Sequence, residues 1–410
     1  MNEVGDIVIV EDVRKERLPL STYILIIGQG INITVAVVSA TIGAVVGLLL
    51  APSPSMGTIA YGAQFAAVLF TTYPAANLMR RYGRKAGFLI GSMSLCVSGV
   101  IGYLAVVNSK FWLLILAHIF AGIYIGFANY YRFAAVDNTS EILRSKAMSL
   151  VVSGGIIASI VGPLFSIGLR DIQGFPQFSI AYASLSGLGL TSVILMLLWN
   201  SGNTSDRVTE QNVVTHNEVS TDRGAINMPV IFIAIFAAAG GYLIMNLLMI
   251  QAMLQMHHVG IQYDVSTLTI QAHVLAMFVP SLITGRLIAF FGTRKVIIIG
   301  YFMILSTIFF ELLFDPFWTM ATGLVILGVG WNLTYVGGGV LLSKYAPANL
   351  KFRWQGINDS VVAICATIGA TAPSFLQSSI GWTGTNNISL IFVVISIVLC
   401  YYLLPRGVQS

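Results

Sequence analysis

Apolar runs separated by short polar breaks recur from one end of the chain to the other. Each run is long enough to cross a bilayer as a helix, which takes about 20 residues. Twelve spans are expected, near 20–47, 57–79, 86–107, 111–133, 147–169, 178–199, 229–254, 266–289, 295–313, 317–342, 357–379 and 385–404. A membrane barrel would instead show short segments of alternating polarity, and the runs do not alternate. One polar stretch is long: 200–227 is rich in Ser, Thr, Asn, Asp and Glu, has no apolar periodicity, and reads as a flexible linker. The expected organisation is all-α and polytopic, with twelve transmembrane helices in two six-helix halves. Its parts are a tail (1–19), a first half (20–199), the linker (200–227), a second half (228–404) and a short tail (405–410).

Composition agrees with the pattern. Of 410 residues, 56% are hydrophobic and 9% charged, where soluble domains carry about 25% charged residues. The first apolar run is too long for a signal-peptide core and has no small-residue cleavage site, so the polar start is expected to stay in the mature chain. Cys96, Cys365 and Cys400 fall inside apolar runs without CxxC spacing, so they read as small packing residues.

Charge adds orientation. With twelve spans, 19 of the 21 Lys and Arg fall on one side, leaving only Lys110 and Arg170 opposite. Such an excess marks the cytoplasmic side, so both termini and the linker are expected there, in a bacterial-type inner membrane. The net charge of +5 is then a matter of topology. Nucleic-acid binding would need a clustered basic surface on a folded domain, and the pattern offers none.

The two halves carry an internal repeat. Leu78-Met79-Arg80-Arg81-Tyr82-Gly83-Arg84-Lys85 follows span two, and Leu287-Ile288-Ala289-Phe290-Phe291-Gly292-Thr293-Arg294 follows span eight. Both read Leu-x-x-x-aromatic-Gly-x-basic, and 209 residues separate Gly83 from Gly292. That is the spacing expected when two halves are related by an axis along the membrane normal. The first copy resembles the cytoplasmic loop signature of the major facilitator superfamily, and the second sits where that superfamily repeats it. Ala76 replaces the signature's leading Gly, which Gly285 keeps in the second copy, and Arg80 replaces its acidic residue. The resemblance implies a secondary transporter working by alternating access, with Arg81, Gly83, Arg84, Lys85, Gly285 and Arg294 at a cytoplasmic gate.

Polar side chains inside spans are costly and usually functional. Carboxylates are scarce: Glu311 lies near the outer end of span nine, and Asp137 and Asp359 near cytoplasmic ends. No acid stands mid-membrane for proton coupling. Met245 and Met249 in span seven, and His273 and Met277 in span eight, are spaced four apart, which stacks each pair on one helical face. The two spans form a hairpin turning near residue 261. Met249 and His273 are each twelve residues from that turn, and Met245 and Met277 sixteen, so they lie at matched depths. Thioether and imidazole ligands suit Cu(I), although methionine is also common as flexible packing. Met253, Met256, His257 and His258 continue toward the outer mouth as capture groups. The paired motifs resemble those of the CcoA-type copper importers of the same superfamily, which implies Met245, Met249, His273 and Met277 as copper ligands. Relatives with similar frameworks carry riboflavin.

Gln29, Asn32, Gln64, His118, Asn129, Trp331, Asn332 and Tyr335 are candidates to line a central cavity or to bond between helices. The expected function is therefore copper import, most simply as Cu(I). The alternatives are transport of riboflavin or another small organic solute, and a membrane receptor without flux. Copper is cargo in this reading, no resident cofactor is expected, and the chain is expected to be a monomer in the bilayer. No nucleophile–base cluster points to an enzyme.

Overall fold

The computed structural model describes residues 18–137, 144–200, 227–313, 316–347 and 350–405. Most of the two tails and of the linker lie outside these residues, as do the side chains of Asp137 and Glu311. The helices follow the apolar runs. In chain order they are α1 (Leu20–Leu50), α2 (Ile59–Tyr82), α3 (Arg84–Val107), α4 (Phe111–Ala128, continued by Tyr131–Asp137), α5 (Arg144–Gly168) and α6 (Ser179–Leu198). The second half holds α7 (Met228–His258), α8 (Tyr263–Phe278, continued by Ser281–Phe291), α9 (Thr293–Leu313) and α10 (Pro316–Tyr345). The last helical stretch, Lys351–Leu403, is divided at Gly381 into α11 and α12.

Eight of these elements are long and apolar enough to cross a membrane, and the bent α8 makes nine. The division at Gly381 adds a tenth span. α2, and α5 with its shorter apolar stretch Ser153–Gly168, complete the twelve.

There are three local departures from the expected boundaries, two of them with simple causes. Pro280 has no N–H and its ring clashes with the preceding turn, so α8 breaks after Phe278 and bends by 44°. No loop separates α11 from α12: the turn is made by Gly381 alone at φ 70°, a conformation glycine adopts without steric cost. α4 is interrupted at Asn129 and Tyr130.

The packing repeats itself. α1 packs with α5, α2 with α4, and α3 with both α4 and α6. In the second half α7 packs with α11, α8 with α10, and α9 with both α10 and α12. Across the seam α2 meets α11, α5 meets α8 and α1 meets α7. Adding six to each helix number maps this whole set onto itself.

Individual residues obey the same rule. Gly122 of α4 lies against the Gln64 carbonyl and Ala67 of α2, and Gly328 of α10 lies against the His273 carbonyl and Ala276 of α8. Gly83 and Gly292 end α2 and α8 at φ 85° and 82°. The basic residue two positions on then caps the last helix of its half, where exposed carbonyls attract cations. Lys85 donates to the Leu197 carbonyl at 2.7 Å, and Arg294 donates to the Tyr401 carbonyl.

The Gly328 contact has a measurable consequence. Alanine favours a helix over glycine by about 1 kcal/mol, yet a Cβ at 328 would run into the His273 carbonyl and force α8 and α10 apart. Overpacking of this kind costs roughly 1–3 kcal/mol. Gly328→Ala is expected to lower the thermal unfolding midpoint in detergent. Gly339→Ala, where a Cβ meets open space, is expected to leave it unchanged or raise it.

Candidate functional site

The seam between the halves is closed at one end. Away from the basic loops, Thr58 donates to the Thr371 carbonyl at 2.7 Å, and Gly62 lies against Thr371. Beside them Arg170 forms an ion pair with Asp264 at 2.7 Å and covers the Tyr263 ring, which packs edge-on to Phe178. Toward the basic end the side chains are more exposed. Arg353, Gly356, Ile357, Asp359 and Ser360 of α11 are exposed, as is most of 281–292 in α8. The cross-half bonds of Thr58 and Arg170 all lie at the opposite end.

Above the closed end, aromatic side chains from three helices of the second half meet at the seam. Trp331 and Tyr335 of α10 stack with ring centroids 5.0 Å apart and planes inclined by 10°. Tyr242 of α7 packs edge-on to both, and Phe278 of α8 packs against Trp331. Phe278 lies beside Gly155 of α5. The cluster thus faces the first half. The indole N–H of Trp331 is buried without a hydrogen-bond partner.

The first half contributes polar networks. His118 bonds Gln64 through Nδ1 and Tyr182 through Nε2, each at 3.0 Å. Asn32 donates to Gln29 and to Asn129, and its own carbonyl oxygen is left without a partner. Asn332 binds α8 to α10 by donating to the Met277 carbonyl and accepting from Thr284.

The soft-ligand residues separate into two directions. The hairpin turn falls at residues 259–262, as the spacing predicts. At about 100° per residue, Met245, Met249, Met253 and Met256 lie within about 60° of Tyr242, on the face that meets the seam. His273 does not share that direction. Its Nδ1 donates to the Leu324 carbonyl at 2.7 Å, which turns the ring onto α10, about 140° around the helix from seam-facing Phe278. Met277 is on the α10 side of the same helix, about 40° from His273. The repeat explains the placement: 209 residues before His273 stands Gln64, which binds α2 to α4 as His273 binds α8 to α10. One feature keeps a ligand role open, since His273 Nε2 is buried and has no partner. Met245, Met249, Met253, Met256 and Met277 are all buried, while His257 and His258 are exposed at the closed end. Of the gate motif, Lys85 and Arg294 act as helix caps, Arg81 is exposed beside the Tyr82 ring, and Gly285 is exposed.

Residue spacing singles out neither Tyr242, Phe278 and Arg132 nor the Arg170–Asp264 pair. The aromatic residues recur in many apolar runs, so nothing in their spacing singles them out. The ion pair joins residues 94 positions apart across the two halves.

Two six-helix bundles meeting at a central seam are the architecture of a membrane transporter. The chain belongs to the Major Facilitator Superfamily, whose profile matches residues 21–271 and 230–410. It is 30% identical over 397 residues to the riboflavin transporter RfnT of Brucella anthropi, covering 94% of this chain and 96% of that one. Its fold is similar to a D-xylose–proton symporter (TM-score 0.75, 14% identity, 94% and 97% of the chains). It is also similar to the E. coli xylose transporter XylE in an inward-open conformation (TM-score 0.73, 14% identity, 95% and 97%).

The Arg170–Asp264 pair is partly exposed, at 25% and 45%, so it is worth up to about 1 kcal/mol. Asp264→Asn is expected to shift population toward the opposite opening by up to about fivefold. Spin labels at Asn108 and Val259, on the closed end of each half, would report this as a grown long-distance component. An unchanged distance distribution would remove the pair from the gate.

Proposed function

We propose that this transporter carries a planar aromatic solute of the riboflavin type, and that it imports it toward the side of the basic loops, taken as cytoplasmic from the charge asymmetry. The observation that carries the reading is the aromatic cluster of Tyr242, Phe278, Trp331 and Tyr335 at the seam. A flat ring system can stack on such a wall, and stacking of a heteroaromatic ring on an aromatic side chain is worth about 1–3 kcal/mol. The unpartnered Trp331 N–H supplies a donor, and the Asn32 carbonyl an acceptor, for polar edges of the solute. The 30% identity over nearly the full length to a riboflavin transporter supports the same reading. Closure around the solute at one end and release at the other is alternating access between the halves.

A second reading, copper import, keeps one specific observation, the unpartnered Nε2 of buried His273. Against it, His273 faces α10 while Met245 and Met249 face the seam. Nothing in the relatives named above points to a metal.

The readings separate in cells. Expression in a riboflavin auxotroph unable to take up the vitamin is expected to restore growth on low riboflavin. Trp331→Ala is expected to raise the concentration needed about tenfold, the equivalent of about 1.4 kcal/mol. Failure of the wild-type chain to rescue growth, despite its presence in the membrane, would sink the riboflavin reading. His273→Gln installs the repeat-equivalent side chain, so it is expected to preserve riboflavin uptake. Wild-type copper accumulation that His273→Gln abolishes would establish the second reading instead.

A further inference from the structure

The repeat symmetry is broken at one place on the outer wall. Between α9 and α12, near the basic loops, a groove of about 590 Å³ opens sideways, away from the seam. Its walls are apolar and include Ile299, Phe302 and Val398, of which Phe302 is 53% exposed. Lys295, in the first turn of α9 and exposed, stands at its end with Tyr401 and Tyr402 of α12. Neighbouring Arg294 is held over the Tyr401 ring.

The equivalent place in the first half is built differently. Position 86, 209 residues before Lys295, is Ala86, and Leu197 and Leu198 take the places of the two tyrosines beside the capped carbonyl. At that depth α3 and α6 are joined by the Ser92–Ser192 hydroxyl bond at 2.8 Å. Further along they are zipped by Gly99 on Ser186 and Gly102 on Tyr182. Among the described residues, the second half thus combines an open apolar channel with an added cation at its membrane-boundary end, and the α3–α6 contact does not.

We propose that this groove is a binding site for one anionic glycerophospholipid of the leaflet on the basic-loop side. An acyl chain lies along Ile299, Phe302 and Val398, and the headgroup phosphate sits against Lys295. The apolar walls match a hydrocarbon chain, and the two tyrosines lie at the level where amphipathic rings favour the membrane interface. Basic residues between helices at the cytoplasmic boundary are suited to anionic headgroups, and the Lys295 charge decides for an anionic over a zwitterionic lipid. The site is independent of the cargo carried at the seam.

The test is native mass spectrometry of the full chain released from nanodiscs of equal phosphatidylglycerol and phosphatidylcholine. Wild-type protein is expected to retain one phosphatidylglycerol per chain, at least fivefold in preference to phosphatidylcholine. Lys295→Ala should abolish that preference, and Ile299→Trp, which fills the groove and leaves the charge, should lower retention of both lipids. Lys110→Glu, a charge change at the opposite face, should leave the preference intact. Equal retention of the two lipids by wild type, or an unchanged preference in Lys295→Ala, would overturn the proposal.

Discussion

Helix-to-helix contact without side chains between them is the constraint on which this molecule depends. In a bilayer there is little hydrophobic drive to bring one apolar helix against another, so association relies on close packing and buried hydrogen bonds. Gly122 and Gly328 provide the closest form of that packing, each setting a helix against a carbonyl of its neighbour. Beside each glycine a polar side chain of the same neighbour completes the joint: Gln64 to His118 in one half, His273 to the Leu324 carbonyl in the other. The α2–α4 and α8–α10 pairs are closely joined in this way. The halves themselves meet through side chains, such as Arg170 with Asp264 and Thr58 with the Thr371 carbonyl.

The same constraint bears on the proposed cargo. A histidine in an apolar helix invites a ligand role, because burying an imidazole has a cost that function would justify. Here the repeat supplies another justification, since the equivalent position in the first half also holds a polar residue bonded to the helix across the glycine. Met245 and Met249 do face the seam, but they share that face with Tyr242, and the aromatic rings around Trp331 dominate the surface offered to a solute. A wall of stacked rings with an unsatisfied N–H suits a flat, polar-edged molecule better than a naked ion.

Much of the architecture was legible in the residues. Apolar runs, basic loops and the paired Gly83 and Gly292 motifs led to twelve helices in two related halves, and the Met–His hairpin turns where equal spacing placed it. What spacing could not convey was direction around the helix. Four-residue intervals put Met245 with Met249 and His273 with Met277, but which face meets the seam depends on neighbours more than fifty residues away, such as Leu324 and Trp331. The kink at Pro280 and the loop-free turn at Gly381 were written in single residues whose effect on a long helix depends on tertiary context. The ion pair of Arg170 with Asp264 was invisible for the same reason, being made only when the halves meet.

The central claim is that the seam accepts an aromatic solute and moves it. Purified protein reconstituted in liposomes, supplied with radiolabelled riboflavin in one series and copper in the other, measures this without interference from cellular uptake systems. The account predicts saturable, protein-dependent accumulation of riboflavin and none of copper above empty liposomes. Saturable copper flux with no riboflavin flux would contradict it.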